Sequence, residues 1–317
     1  MTGSVVTIGE ILVEIIAETR GYGFREPILL RGPYPSGAPA IFIDQVARLG
    51  QHAGMISCVG NDDFGRLNIE RLSRDGVDTS AVRVASQQVT GSAFVRYRAD
   101  GNRDFVYNIK HSASGVTRID AAAEALLARC THLHVMGTSL FSRVLVDETK
   151  KAIERVKARG GTISFDPNVR KEMLHIPNMR AALQTMLRLS DIFMPSGSEL
   201  TLLTRAKSES DAILEILELG QTAVVVKRGS QGASYHDRSG SVTMPGFPAT
   251  EIDPTGAGDC FGATFVTCWL QGHRIEECLR YANASGARAV EIRGPMEGTS
   301  SFAELDAFIA NRRGDDR

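Results

Sequence analysis

The sequence predicts an α/β protein of three layers, in which helices cover both faces of a mostly parallel central sheet. Short apolar runs rich in β-branched residues alternate with longer segments of helical periodicity. The apolar runs are continuous, which is typical of parallel strands that are buried on both faces. With 317 residues, of which 43% are hydrophobic, the chain suits one large α/β domain, or one domain plus a small appendage.

The elements are predicted in an alternating order along the chain. Each predicted strand is a short apolar run, and each predicted helix has apolar residues spaced three or four apart. The strands cover residues 5–8, 55–59, 133–136, 162–165, 192–194 and 223–227. The helices cover residues 38–49, 64–74, 121–129, 144–159, 178–188, 211–219, 260–270, 275–291 and 302–310.

Two stretches interrupt this alternation and predict a second, smaller sheet. Residues 92–97 and 103–109 form a predicted hairpin around Asp100-Gly101-Asn102, which is a strong turn signal. Residues 10–30 are extended and lack a helical period. Ligands of α/β sheets sit beyond the carboxyl ends of the strands, so a flap formed from about residues 10–32 and 90–112 would serve as a lid. From the pattern alone, a surface hairpin without a role in binding is an equal alternative.

Composition argues against several classes of protein. A formal net charge of −1 and an isoelectric point near 6.7 give no overall field that would attract nucleic acid or a membrane surface. The five cysteines are scattered, which disfavours a disulfide framework or a structural zinc site and fits a reducing compartment. Neither a signal peptide nor a run of about 20 apolar residues is found, so we expect a cytoplasmic protein.

The most informative segment is Asp253-Pro254-Thr255-Gly256-Ala257-Gly258-Asp259, which precedes a predicted apolar helix. Small residues at a helix start leave backbone N–H groups unpaired, with the positive end of the helix dipole behind them, and this is an anion site. A carboxylate beside bound phosphate would be repelled, so Asp259 suggests a general base that deprotonates a hydroxyl attacking that phosphate. The alternative is an ordinary glycine-rich turn in which Asp259 caps the helix.

Four further segments lie at or just after predicted strand ends and would converge on one crevice. Each one alone also fits a tight turn, a helix cap or a solvated surface charge. These segments are Ser36-Gly37-Ala38-Pro39-Ala40, Gly60-Asn61-Asp62-Asp63-Phe64-Gly65, Asp166-Pro167-Asn168-Val169-Arg170 and Ser196-Gly197-Ser198-Glu199.

Taken together, these segments resemble the ribokinase-like (PfkB) carbohydrate kinase family. Lys227-Arg228-Gly229-Ser230-Gln231-Gly232 and Tyr281-Ala282-Asn283-Ala284-Ser285-Gly286 also match the family. The matching segments cover nearly the whole chain in the family's order, and the Asp-x-Thr-Gly-Ala-Gly-Asp segment is the most specific. The nearest branch holds fructokinases, 2-keto-3-deoxygluconate kinases and tagatose kinases. No Gly-x-x-x-x-Gly-Lys-Ser/Thr run is present, so the chain is not a P-loop kinase.

The resemblance implies one ribokinase-like domain over residues 1–317, with a β lid, that phosphorylates a sugar hydroxyl with ATP and Mg²⁺. A monovalent cation is a further candidate cofactor. Asp259 would be the general base, and the backbone amides of Gly256, Ala257 and Gly258 would form the anion hole. Glu199 would position Mg²⁺ through water. The implied substrate-binding residues are Glu14, Gly37, Ala38, Tyr107, Lys110, Arg170 and Asp259, and the implied nucleotide-binding residues are Lys227, Gly229, Ser230, Gly232, Thr255, Gly256, Gly258 and Asn283.

Three positions depart from the family's pattern. Ser36 stands where many relatives have the first glycine of a Gly-Gly pair, and Glu14 stands where many have an aspartate that binds sugar hydroxyls. Ser196 replaces the asparagine that usually begins the metal-related segment. None of the three lies in the anion hole or at Asp259, so we expect an active kinase with an altered sugar pocket.

The second strand of the lid bears on the sugar. Kinases of acid sugars tend to present an arginine there, in a Tyr-x-Arg setting, to the substrate carboxylate. Here the stretch is Tyr107-Asn108-Ile109-Lys110, so that Ile109 replaces the arginine and Lys110 is only a partial substitute. We therefore expect a ketohexose such as fructose or tagatose, phosphorylated at O6, with 2-keto-3-deoxygluconate as the alternative.

Functions of other classes are also open at this point. A nucleoside kinase would use aromatic residues of the lid for stacking, and Phe94, Tyr97, Phe105 and Tyr107 are available, although alternation can equally bury them. A non-catalytic sugar sensor is disfavoured because Asp259 and the glycine run are intact. A lid of few strands has exposed edges, which predicts a homodimer formed through the lid.

Overall fold

The computed structural model describes residues 3–19, 21, 23–98, 103–169 and 173–313. The predicted turn at Asp100-Gly101-Asn102 and the predicted substrate residue Arg170 lie outside the described residues. The strands are β1 Ser4–Ile8, β2 Leu12–Ala17, β3 Leu30–Ser36, β4 His52–Gly60, β5 Val77–Asp78, β6 Val82–Ala85, β7 Gly91–Tyr97, β8 Arg103–Asn108, β9 Cys130–Met136, β10 Thr162–Asp166, β11 Ile192–Phe193, β12 Ala223–Lys227, β13 Ala233–Asp237 and β14 Gly240–Met244. The helices are α1 Ala38–Arg48, α2 Asp63–Arg74, α3 Ala121–Arg129, α4 Arg143–Lys157, α5 Met179–Leu189, α6 Gly197–Leu203, α7 Glu209–Glu218, α8 Ala257–Leu270, α9 Ile275–Val290 and α10 Phe302–Arg313.

The predicted fold class is confirmed. The central sheet runs in the order β14-β13-β12-β11-β10-β9-β1-β4-β5, and β6 pairs with β4. All pairs from β12 to β5 are parallel, whereas β13 and β14 add an antiparallel edge that the sequence analysis did not predict. Strand β5, which has only two residues, was not predicted, because so short a piece gives little periodicity to detect. Strand β11, also of two residues, lies within the predicted strand 192–194.

Alternate residues of the strands enter two separate cores. Val225 packs in the core that includes α1, α8 and α9, whereas Val224 and Val226 pack in the core beneath α4, α5 and α7. All three valines are fully buried, because a strand covered on both faces sends successive side chains to opposite layers. This explains why the strands are continuously apolar in the sequence.

A second sheet, called here the small sheet, has the strand order β3-β2-β7-β8. It contains both the predicted hairpin and the predicted extended segment. Glu14, Ala93 and Tyr107 are paired across three strands and share one face, while Ile15, Phe94 and Val106 share the other. The first face is turned towards the carboxyl end of the central sheet, since Glu14 and Tyr107 line a cavity there.

The carboxyl ends of the parallel strands place the polar segments at one edge of the central sheet. Strands β1, β9, β10 and β12 all end at this edge, and α8 begins there. Within the described part of the chain, no helix combines the length and the apolar character that crossing a membrane requires.

Candidate active site

The start of α8, called here the anion site after its predicted role, has the backbone conformation that this role requires. Helix α8 begins at Ala257, three residues before its predicted start, because Gly256 adopts φ 81° and its carbonyl accepts a 2.8 Å hydrogen bond from the N–H of Cys260. A side chain at position 256 would approach the carbonyl oxygen of Pro295 to 2.4 Å, so only glycine fits. The first-turn amides of Ala257 and Gly258 have no intrahelical acceptor and can bind an anion.

Asp259 lies in the first turn of α8 and is almost completely buried, with 3% exposure. Its Oδ1 accepts a 3.0 Å hydrogen bond from the side-chain amide of Asn168, which follows the end of β10. Asn168 has φ 36°, an unusual backbone conformation for a residue with a side chain. This conformation is held by a 3.1 Å hydrogen bond from the N–H of Asn168 to Asp166 Oδ1. The sequence analysis did not identify Asn168 as a site residue.

A buried ion pair lies beside the anion site. The ammonium group of Lys227, at the end of β12, contacts the carboxylate of Asp166, at the end of β10. Lys227 Nζ is only 3.8 Å from where a side chain at Gly258 would begin. Burial disfavours the ammonium ion, but the nearby carboxylates of Asp166 and Glu199 outweigh it and raise the pKa of Lys227. Lys227 therefore stays positively charged beside the first turn of α8.

Glu199 accepts hydrogen bonds from residues that follow two neighbouring strands, β10 and β11. Helix α6 begins with a capping box formed by Ser196 and Glu199. Glu199 Oε1 accepts a 2.6 Å hydrogen bond from the N–H of Val169, and Oε2 accepts bonds from the N–H and hydroxyl of Ser196 at 2.7 and 2.8 Å. Within the described ranges, no group of three or more His, Cys, Asp or Glu residues could hold a metal ion.

A cavity of about 330 Å³ lies between the small sheet and the start of α8. This volume is at the lower end of the range for small-molecule sites. Six of the seven predicted substrate residues line the cavity, and the seventh, Arg170, is outside the described residues. The lining comprises Glu10, Leu12, Glu14, Gly37, Ala38, Ile41, Tyr107, Ile109, Lys110, Thr138, Phe141, Met173, His175, Ile176, Pro177, Thr255 and Asp259.

Two further carboxyl groups, those of Glu14 and Glu10, line the cavity together with Asp259. Glu14 Oε1 accepts a 2.9 Å hydrogen bond from the hydroxyl of Ser36, so two of the three departures from the family pattern contact each other. Glu10 Oε2 accepts a 2.5 Å hydrogen bond from the hydroxyl of Ser139. Burial raises the pKa of Glu10, although its hydrogen bonds oppose this. The sequence analysis did not identify Glu10 as a cavity residue.

Four of the predicted nucleotide-binding residues, Lys227, Gly229, Ser230 and Gly232, lie at or just after the end of β12. Gly229 and Ser230 are exposed in a short turn that is closed by a 3.0 Å hydrogen bond from the N–H of Gly232 to the carbonyl of Gly229. Asn283, on α9, donates its side-chain amide to the carbonyls of Met244 and Pro245 at 3.3 and 3.0 Å. Thr255 instead lies nearer the anion site, in the cavity wall beside Asp259.

The loop before the anion site also contacts the small sheet. The buried carboxylate of Asp253 accepts a 2.7 Å hydrogen bond from the hydroxyl of Tyr97. Arg103 Nη1 donates a 2.9 Å hydrogen bond to the hydroxyl of Thr255. The sequence analysis weighed Tyr97 only for stacking and did not consider Arg103, because no local pattern joins residues so far apart in the chain.

Comparison with known proteins identifies the family. The sequence profile described as pfkB family carbohydrate kinase matches residues 2–301. This chain belongs to the pfkB family of carbohydrate kinases. As a member of this family it is a phosphotransferase that acts on a sugar hydroxyl, and the predicted family and enzyme class are confirmed.

Three proteins similar to this pfkB-family kinase show which members of the family it resembles. Fructokinase-1 of Zea mays is 30% identical, with 96% of this chain and 97% of the relative covered. A crystal structure of a putative ribokinase II from E. coli in complex with ATP and Mg²⁺ is 53% identical, with a TM-score of 0.93 and coverage of 98% of this chain and 99% of that chain. A crystal structure of a double mutant of fructokinase from Vibrio cholerae O395, in a form with bound fructose, ADP and potassium ion, is 27% identical. Its TM-score is 0.83, and the match covers 97% of this chain and 98% of that chain.

Proposed function

We propose that this kinase transfers the γ-phosphoryl group of ATP to a primary hydroxyl of a neutral ketohexose of the fructose or tagatose type, at O6. The observation that carries the proposal is that Asp259 lines the same cavity as Glu14 and Tyr107 while lying in the first turn of α8, beside the anion site. A sugar in the cavity and a phosphate at the helix start would therefore meet at Asp259. The fructokinase relatives favour a sugar over a nucleoside as the acceptor.

Asp259 acts as the general base in this mechanism. It takes the proton from the acceptor hydroxyl as the oxygen attacks the γ-phosphorus, and the bond from the γ-phosphorus to the bridging oxygen breaks to release ADP. The amide of Asn168, 3.0 Å from Asp259 Oδ1, fixes the orientation of the carboxylate. Orientation of this kind is a large part of catalysis in phosphoryl transfer.

Two groups stabilise the charge on the phosphoryl group during transfer. The backbone amides of Gly256, Ala257 and Gly258 donate hydrogen bonds to its oxygens as the anion hole. Lys227 adds a positive charge, which Asp166 keeps in place and protonated. Because both groups are fixed before the reaction, little reorganisation is required.

ATP and Mg²⁺ complete the site. The nucleotide would bind along the residues that follow β12 and at Asn283, and Thr255 would lie near the transferred phosphate. The residues at and after the end of β12 are Lys227, Gly229, Ser230 and Gly232. Glu199 fits a Mg²⁺ ion held through water, because both of its oxygens already accept hydrogen bonds from the protein. The metal would supply charge neutralisation between the phosphates. The ATP and Mg²⁺ complex of the E. coli neighbour supports this assignment, and the potassium form of the Vibrio cholerae enzyme makes a monovalent cation a further candidate.

The charge of the cavity favours a neutral sugar. Within the described lining, the carboxyl groups of Glu14 and Asp259 are accompanied by a single lysine, Lys110. Ile109 also lines the cavity, at the position where the resemblance to acid-sugar kinases would require an arginine. A substrate carboxylate would be repelled by this arrangement. The second candidate, 2-keto-3-deoxygluconate, is favoured only by Lys110, whose ammonium group is a point charge without the bidentate geometry of arginine.

The small sheet acts as the lid of a single kinase domain. Its inner face carries Glu14 and Tyr107 into the cavity, so it would cover a bound sugar and exclude water.

The outer face of the small sheet is apolar at Phe94 and at Val106, which is 48% exposed. We propose that this face forms the interface of a homodimer. Light scattering tests this, because a mass near 34.3 kDa, that of one chain, would contradict a dimer. A cytoplasmic location agrees with five free, buried cysteines.

An ADP-release assay with Mg·ATP tests the substrate assignment. The panel contains fructose, tagatose, psicose, ribose, glucose, 2-keto-3-deoxygluconate and adenosine, and carbon–phosphorus coupling in the product NMR spectrum locates the phosphate. The proposal predicts the highest kcat/KM for one ketohexose and phosphate at O6. A preference for 2-keto-3-deoxygluconate or adenosine, or phosphate at another carbon, would contradict it.

A further inference from the structure

We propose that Tyr97 and Arg103 are positioning residues that clasp the small sheet to the Asp253–Thr255 loop and so set the anion site when the sheet covers the cavity. This inference rests on the proposed function, since it assigns the clasp a role in phosphoryl transfer. The contacts themselves are independent of which sugar is phosphorylated.

The two residues form one structural unit on the small sheet. Tyr97 and Arg103 are directly paired across β7 and β8, at the end of the hairpin. By the alternation of the strands they share the inner face with Ala93 and Tyr107. Arg103 also lies 5.6 Å from the ring centroid of Phe105, which helps to orient its guanidinium group. Both side chains thus extend from the same face that bounds the cavity.

The partner loop is connected directly to the anion site. Asp253 is 1% exposed, and its carboxylate accepts hydrogen bonds from the hydroxyl of Tyr97 and from the N–H groups of Thr255 and Gly294, at 2.7, 3.0 and 3.0 Å. Gly256, which follows Thr255 and precedes α8, packs against the carbonyl of Pro295. Asp253 therefore links the hairpin, the anion loop and the 294–295 turn through one carboxylate.

The hydroxyl of Tyr97 is suited to a permanent donor role. Its burial and the carboxylate of Asp253 raise the pKa of Tyr97, so the phenol keeps its proton at any physiological pH. A buried carboxylate depends strongly on each of its donors. If the hairpin moves away, Asp253 loses the bond from Tyr97, Thr255 loses the bond from Arg103, and the amides that follow are less firmly held.

Such a clasp would couple sugar binding to catalysis. The small sheet contacts the sugar side of the cavity through Glu14 and Tyr107, and it contacts the phosphate side through Tyr97 and Arg103. A sugar that holds the sheet in place would thereby complete the anion hole. Without the sugar, the loop would be less ordered and transfer to water would be disfavoured.

The test uses Tyr97→Phe and Arg103→Gln with matched controls. Tyr281→Phe removes a second tyrosine–aspartate hydrogen bond of 2.7 Å, to Asp306, on the remote helices α9 and α10. Arg98→Gln removes a nearby arginine of the same hairpin, whose partner Asp104 keeps Arg96. All four variants keep the size of the original side chain closely enough to fold.

Two readouts separate the clasp from the proposed function. Hydrogen–deuterium exchange of peptides covering residues 253–262 should be about 10-fold faster in Tyr97→Phe and Arg103→Gln, and unchanged in both controls. With the preferred sugar, kcat should fall about 10-fold in the two clasp variants while KM for ATP changes less than about 2-fold. Exchange and kcat equal to those of the wild type in both clasp variants would overturn the inference. If no sugar were turned over by the wild type, the proposed function would fail, and the exchange measurement would still decide the clasp.

Discussion

The side-chain amide of Asn168 donates a 3.0 Å hydrogen bond to the carboxylate of Asp259. The two residues are 91 positions apart in the chain, at the end of β10 and in the first turn of α8. Their contact joins the carboxyl edge of the central sheet to the anion site. It also gives the candidate base a fixed orientation, which depends on the unusual backbone conformation of Asn168.

Asn168→Gly tests this orientation. Glycine adopts φ 36° without strain, so the backbone should be preserved while the amide is lost. We expect kcat to fall about 10- to 100-fold, with KM for ATP nearly unchanged, in steady-state kinetics. Asn178→Gly is the matched control, because Asn178 also has positive φ, 65°, at the start of α5. Equal kcat values for the two variants would rule out a positioning role for Asn168.

Lys227→Met tests the buried ion pair. The change leaves Asp166 without its counter-charge, so we expect a loss of about 3–5 kcal/mol in the free energy of unfolding by urea. The double variant Lys227→Met with Asp166→Leu removes both charges and should recover most of that stability. Activity should stay low in both variants, because the positive charge beside the anion site is absent. Recovery of kcat in the double variant would show that Lys227 has only a structural role.

Glu14→Asp tests the pair formed with Ser36. The shorter side chain retracts the carboxylate from both Ser36 and the cavity, so we expect KM for the sugar to rise about 10-fold with KM for ATP unchanged. Ser36→Ala, which removes only the supporting hydroxyl, should raise KM for the sugar by a smaller factor. Unchanged sugar KM values in both variants would exclude this pair from the sugar site.

Ile109→Arg tests the basis of sugar selection. Ile109 lines the cavity, and an arginine there would supply a bidentate partner for a substrate carboxylate. We expect the ratio of kcat/KM for 2-keto-3-deoxygluconate to that for the ketohexose to rise at least about 10-fold. Ile109→Met, which changes shape without charge, is the control. If this kcat/KM ratio were the same in both variants, the residue at position 109 would not discriminate between charged and neutral substrates.

The buried histidines of β9 predict a loss of stability in acid. His132 Nε2 and His134 Nδ1 both lie 2.7 Å from the hydroxyl of Ser164, and both rings are fully buried. Burial lowers the pKa of His132 to about 3 and that of His134 well below 6.5. The unfolded chain therefore binds more protons than the folded chain below pH 6.5, and the free energy of unfolding falls as the pH drops towards 3.

His132→Gln measures this contribution. Urea unfolding between pH 6 and 4 should show a pH slope that is shallower than the wild-type slope by about 1.4 kcal/mol per pH unit. His52→Gln is the control, because His52 is exposed at the start of β4. A wild-type slope in His132→Gln would show that this histidine is not neutral in the folded protein.

Sequence patterns predicted the parts of the site that are contiguous in the chain. The glycines of the anion hole and Asp259 lie within seven residues, so their spacing alone indicated an anion site with a base. The pairs Lys227–Asp166 and Tyr97–Asp253 are 61 and 156 residues apart and have no local signature, because tertiary folding alone brings them together. For the same reason, Lys227 was predicted to lie along the nucleotide, and its ion pair with Asp166 was not foreseen.

The fold shows the same division. The buried parallel strands are continuous apolar runs and the long helices have strong periodicity, so both were predicted close to their ends. Strands β5 and β6 and the edge hairpin of β13 and β14 were missed, because they are short and partly exposed. The start of α8 was placed too late, since the left-handed conformation of Gly256 allows the helix to begin within the glycine run.

The central claim, that Asp259 deprotonates the acceptor hydroxyl, is tested most directly by Asp259→Asn. This change keeps the shape of the side chain and removes its basicity, and Asp63→Asn, at a carboxylate that is 92% exposed on α2, is the control. ADP release is measured with Mg·ATP and the preferred ketohexose. The account predicts that kcat falls about 10²- to 10⁴-fold in Asp259→Asn and is unchanged in Asp63→Asn. A kcat for Asp259→Asn within about threefold of the wild-type value would contradict it.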